Sequence, residues 1–101
     1  MGANAKSPEQ LVRENREEIL RLASSHGARN VRLFGSIARG EANETSDIDF
    51  LVEMEEGRNL LDLVGLWQDL EELLGRKVDV LTDGGVSKHL EKRIYSEAVT
   101  L

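Results

Sequence analysis

The chain has 101 residues, 40% of them hydrophobic and 32% charged, with a formal net charge of −6 and no cysteine. That length supports one compact domain and leaves no room for a second of ordinary size. The composition excludes disulfides, thiolate catalysis and cysteine zinc sites, and the acidic balance argues against sequence-independent capture of DNA or RNA, which depends on Lys and Arg neutralising phosphates.

No stretch reaches the roughly 20 apolar residues that cross a bilayer, and the opening MGANAKS lacks the hydrophobic core of a signal peptide. A cytoplasmic protein with no membrane contact is expected, with residues 1–6 as a disordered end before a single domain at 7–101. Ser7-Pro8-Glu9-Gln10 is a helix start, with Ser as N-cap, Pro at the first helical position and Gln10 closing a capping box. Val12, Arg16, Ile19, Leu20 and Ala23 recur at helical spacing, and Gly27 is a stop. NVRLF at 30–34 reads as a strand that runs into Gly35-Ser36. SIAR at 36–39 can form a turn or two of helix before the polar loop GEANETS. DIDFLVEM at 47–54 alternates, with Ile48, Phe50 and Val52 on one face and Asp47, Asp49, Leu51 and Glu53 on the other.

A second long helix is predicted over 59–74, ending at Gly75. Its nine large apolar residues, Leu60 to Leu74, cover more of the circumference than one core-facing stripe requires. The surplus is either buried deeply or meets a partner. KVDVLT at 77–82 is a third strand, and Ser87 can cap a last helix to about Ala98. The order α-β-α-β-α-β-α gives an α/β domain, a small mixed β-sheet backed by helices.

Alternation on a strand puts Asp47 and Asp49 on one face, roughly 7 Å apart at the backbone. If the strand of Asp79 lies alongside, three carboxylates converge. Two like charges near 4 Å repel by about 4 kcal/mol at an effective dielectric of ~20, so such a cluster wants a divalent cation or a proton. Oxygen-only ligation favours Mg²⁺ or Mn²⁺, and Mg²⁺ shares its shell with substrate phosphates. A phosphate cradle should therefore lie close by. Gly35 permits a tight turn, Ser36 adds a hydroxyl, and Arg39 brings a guanidinium fork. Each feature alone is ordinary, and their ordered combination points to phosphoryl chemistry. His26 and His89 stand alone and read as ordinary surface residues; Tyr95, on an amphipathic helix, reads as packing.

Gly35-Ser36, ten intervening residues, Asp47-Ile48-Asp49 and the later strand aspartate Asp79 together resemble the nucleotidyltransferase superfamily of DNA polymerase β type, most closely its minimal MNT-domain members. The resemblance implies that fold, with ATP as substrate and two Mg²⁺ ions. It assigns the triphosphate to Gly35 and Ser36, both metals to Asp47 and Asp49, and activation of the attacking hydroxyl to Asp79. Minimal members resemble antitoxins paired with an all-helical HEPN ribonuclease toxin, which they block by transferring AMP from ATP onto a toxin tyrosine. The apolar helix near Leu60–Leu74 would suit such a hetero-oligomer. Two other readings stay open: a non-catalytic antitoxin that acts by binding, and a subunit that modifies a small molecule.

Overall fold

A computed structural model describes residues 6–43, 45–83 and 94–101. Helix α1, Pro8–Glu14, begins at the expected cap: Ser7 Oγ accepts from the Gln10 N–H at 3.1 Å, with Pro8 at the first position, but the Gln10 side chain donates to Glu14 at 3.2 Å and does not close the expected capping box. The helix expected to run on to Gly27 is broken at Asn15, whose side chain turns back to donate to the Leu11 carbonyl at 2.8 Å. The Asn15 backbone N–H donates to the same carbonyl at 3.1 Å, so side chain and backbone share it. Helix α2, Arg16–Ser25, then carries Ile19 and Ala23 into the core.

The strands are β1, Ala28–Phe34; β2, Ile48–Met54; β3, Val78–Thr82; and β4, Val99–Thr100. Helix α3, Leu60–Leu74, lies between β2 and β3. The sheet order is β3-β2-β1-β4. β1 is antiparallel to β2 and β4, while β2 and β3 are parallel, a pairing that needs a crossover and receives α3. The α/β architecture with a mixed sheet backed by helices is the expected one. Two further local features differ from the sequence reading. Residues 36–39 form a single turn, closed by Arg39 N–H to Gly35 O at 3.1 Å and Glu41 N–H to Ser36 O at 2.8 Å, and Gly40 with φ +73° ends it. β4 is an additional strand, and two residues are too few to show a period.

The core forms where α2 and α3 cover one sheet face. Ile48, Phe50 and Val52 of β2 and Val78 and Val80 of β3 pack with Ile19, Ala23, Leu66, Leu70 and Leu74. Leu51 points the other way yet is fully buried, because Arg32 and Leu81 flank it in register on the neighbouring strands. α3 starts in a capping box: Asn59 accepts from the Leu61 and Asp62 N–H groups, and its own N–H donates to Asp62 at 3.0 Å, holding that carboxyl below its usual range. The helix ends at Gly75 in the left-handed conformation. Its surplus apolar surface is divided. Leu63, Trp67 and Leu73 pack against the core, whereas Leu60, Leu61 and Val64 remain 70%, 78% and 38% exposed.

Residues 94–97 are helical, the C-terminal end of the predicted last helix; its start at Ser87 and His89 lie outside the described residues. Of the expected disordered end at 1–6, residues 1–5 also lie outside them, and Lys6 pairs with Glu14. Among the described residues no helix is long and apolar enough to cross a membrane.

Candidate active site

Because Ile48, Phe50, Val78 and Val80 face the helices, strand alternation turns Asp49 and Asp79 to the opposite face. The parallel register sets them side by side, Asp49 opposite Asp79, with Phe34 of β1 on the other flank of Asp49. Partial burial pushes the Asp49 carboxyl up to about 6; the charges of Asp79 and Asp47 and a hydrogen bond with Asp79 act in the same direction, and Arg39 opposes them.

Gly35 closes over this pair. It follows β1 at φ +73°, and a β-carbon there would stand 2.4 Å from Asp49 Oδ2. The glycine is thus required both by the turn and by the close approach of backbone to carboxylate. Ser36 comes next, and its carbonyl closes the turn to Glu41. Ile37 is buried and anchors the turn to the core.

Asp47 lies one residue before β2, within electrostatic reach of Asp49. Its carboxylate is 40% exposed and stands 3.9 Å from Lys77 Nζ. Among the described residues, no three acidic or histidine side chains are gathered tightly enough to enclose an ion. The structure therefore brings together Asp49, Asp79 and Gly35, and leaves Asp47 turned towards Lys77. The donor set still suits a hard divalent cation. It is made of oxygens only, Asp49 resists carrying its charge beside Asp79, and an ion that takes phosphate oxygens into its shell needs few protein ligands.

Arg39 is oriented by two acidic partners that the sequence reading did not single out. Its Nε donates to Glu41 at 2.9 Å and its Nη1 to Glu97 at 3.2 Å, contacts that hold its proton more firmly than usual. Glu41 is two residues away and could have been suspected; Glu97 is 58 residues along the chain and leaves no sequence signal. On the same sheet face, Tyr95 donates its hydroxyl to Asp83 at 2.9 Å. Asp83 also accepts from Arg32 at 2.8 Å, and Arg32 lies 5.7 Å from the centre of the Tyr95 ring. Tyr95 is thus held by polar partners at the surface, 36% exposed, instead of being packed into the core as expected. His26 is more than a surface residue: it is half-buried against Gly65 and bonded to Asp69 at 2.7 Å, a structural pair.

The family described as Nucleotidyltransferase domain matches residues 12–101. A Methanocaldococcus jannaschii protein named as a candidate protein adenylyltransferase is 49% identical over 88 residues, covering 87% of this chain and 95% of the relative. The protein adenylyltransferase MntA of Thermococcus cleftensis is 37% identical over 91 residues, 82% of this chain and 92% of the relative. A solved structure described as a candidate minimal nucleotidyltransferase superposes with a TM-score of 0.83 at 47% identity, covering 92% of this chain and 95% of that one. The fold is also shared, at a TM-score of 0.66 and 22% identity over 91% of this chain and 70% of that one, with a structure described as a tri-AMPylated Shewanella oneidensis HEPN toxin in complex with MNT antitoxin.

Proposed function

This chain belongs to the nucleotidyltransferase domain family, and from that premise we propose that it transfers AMP from ATP to a tyrosine hydroxyl of an all-helical HEPN-type toxin and so acts as its antitoxin. The observation that carries the reading is the placement of Asp49 beside Asp79 directly under Gly35. A carboxylate pair that disfavours its own charge, next to a turn that can accept phosphate, is the arrangement phosphoryl transfer requires. The names of the relatives support AMP as the group transferred, and the toxin–antitoxin complex of the same fold is consistent with a partner of that kind.

Asp47, Asp49 and Asp79 would hold Mg²⁺ together with the phosphate oxygens, and the ion would supply neutralisation of the charge that develops there. The turn after Gly35 receives the triphosphate, the Ser36 hydroxyl donates to a phosphate oxygen, and Arg39 pairs with a second. Asp79 accepts the proton of the attacking tyrosine hydroxyl. The tyrosine oxygen then bonds to the α-phosphorus as the bond between that phosphorus and the bridging oxygen breaks, and pyrophosphate leaves. The exposed Leu60, Leu61 and Val64 at the start of α3 supply an apolar surface for the partner.

That patch also suits a second reading, an antitoxin that acts by binding alone. Incubating the complex with ATP labelled at the α- or the γ-phosphate separates the two. Label on the toxin from the α position only is the expected result. No label from either, in a stable complex, favours neutralisation by binding, and label from γ alone would make the protein a kinase.

A further inference from the structure

Resting on the reading of Arg39 as a phosphate contact, we propose that Glu97, together with Glu41, is a positioning residue that holds the Arg39 guanidinium ready for the triphosphate. Two edges of the guanidinium are committed, Nε to Glu41 and Nη1 to Glu97, while Nη2 takes part in neither bond. The Arg39 N–H donates to the Gly35 carbonyl at 3.1 Å, so the residue stands on the same short turn as the glycine that packs on Asp49. The side chains of Arg39 and Glu97 are only 35% and 25% exposed, so the pair is more confined than a freely solvated surface contact. An arginine has several soft torsions, and ordering them only when ligand arrives would cost affinity. Two carboxylates that fix the side chain in advance remove that cost and leave one edge for a phosphate oxygen.

The C-terminal segment is built to present Glu97. Ile94 is buried, the Ala98 N–H donates to the Ile94 carbonyl at 2.9 Å, and β4 pairs with β1 immediately afterwards. The Leu101 N–H donates to Val31 O at 2.9 Å, and Arg16 Nε donates to Leu101 O at 2.7 Å. The segment leading into the edge strand β4 thereby carries a carboxylate to the turn that follows β1.

The test is a double-mutant cycle on Mg-ATP binding, measured by calorimetry on the intact chain, with transfer kinetics alongside. Glu97→Gln removes the charge and keeps the shape, and should weaken Mg-ATP binding about three- to five-fold, the range of a confined single ion pair. KM for ATP should rise by more than kcat falls, and Glu97→Asp should recover part of the loss. In an Arg39→Ala background, Glu97→Gln should have no further effect. Glu41→Gln, at a position 65% exposed, is a second variant with no packing to disturb and should behave alike. Unchanged or tighter binding in both variants, or a loss that persists without Arg39, would overturn the proposal. A wild-type chain that binds no Mg-ATP would overturn the proposed function, and this positioning role with it.

Discussion

Gly35 and Asp49 are in close contact: a β-carbon at position 35 would meet Oδ2 at 2.4 Å and force the carboxylate aside, and the φ of +73° strains any other residue there. Both faults act at once in Gly35→Ala, which should destabilise the fold by about 1 kcal/mol or more and displace the Asp49 carboxylate. Transfer should fall by at least an order of magnitude, far beyond what the stability loss explains. Thermal unfolding and a transfer assay on the same preparation check this, and a Gly35→Ala variant of normal activity would refute the placement of the cradle.

The raised Asp49 carboxyl gives a stability prediction with a definite sign. Its folded value of about 6 lies above the ordinary 3.8, so the folded state binds the proton more tightly than the unfolded chain. The stability it contributes is present below about pH 4 and is lost as pH rises through 6. At pH 7 without divalent cations, Asp49→Asn should therefore raise the midpoint of thermal unfolding. After solvent screening the gain is about 1 kcal/mol, roughly 4–8 °C for a domain of this size. At pH 4 the difference should vanish. Mg²⁺ at pH 7 should stabilise the wild type and leave the variant unmoved.

Much of this site was legible in the chain because its parts sit on regular elements. The period of DIDFLVE places Asp49 opposite Phe50, and KVDVL does the same for Asp79, so the side-by-side register followed once the strands were adjacent. Capping chemistry located Ser7 and Gly75 for the same reason: each acts on its nearest neighbours. Contacts between distant segments left no such trace. The break at Asn15 is marked by no Gly or Pro, β4 is too short for a pattern, and the Arg39–Glu97 pair joins a loop to the C-terminal turn. Leu51 shows the limit of alternation as a guide to exposure. It shares a face with Asp49 and is nonetheless buried, because its register neighbours are Leu81 and the largely covered Arg32.

Leu61 is 78% exposed at the start of α3, which separates folding from association. Leu61→Asp should change stability by no more than about 0.5 kcal/mol, the usual range for a surface position. Its complex with the proposed helical partner should weaken at least tenfold, about 1.4 kcal/mol. Titration calorimetry with the partner is the check, and unaltered affinity would move the interface elsewhere on the chain.

Leu70 is 1% exposed in the core that supports β2 and β3. Leu70→Ala should cost about 2–5 kcal/mol in denaturant unfolding. Transfer by the fraction still folded should persist, since the residue touches none of the site. A full loss of activity in a folded variant would show that the carboxylate pair depends on finer core packing than the register alone provides.

The central claim is that the carboxylates under Gly35 transfer AMP to a protein. Intact mass spectrometry of the helical partner, incubated with this chain, ATP and Mg²⁺ beside an Asp49→Asn control, tests it most directly. The prediction is a mass gain of one or more AMP units with the wild type and none with the variant. A partner of unchanged mass in a tight wild-type complex, or equal modification by Asp49→Asn, would contradict it.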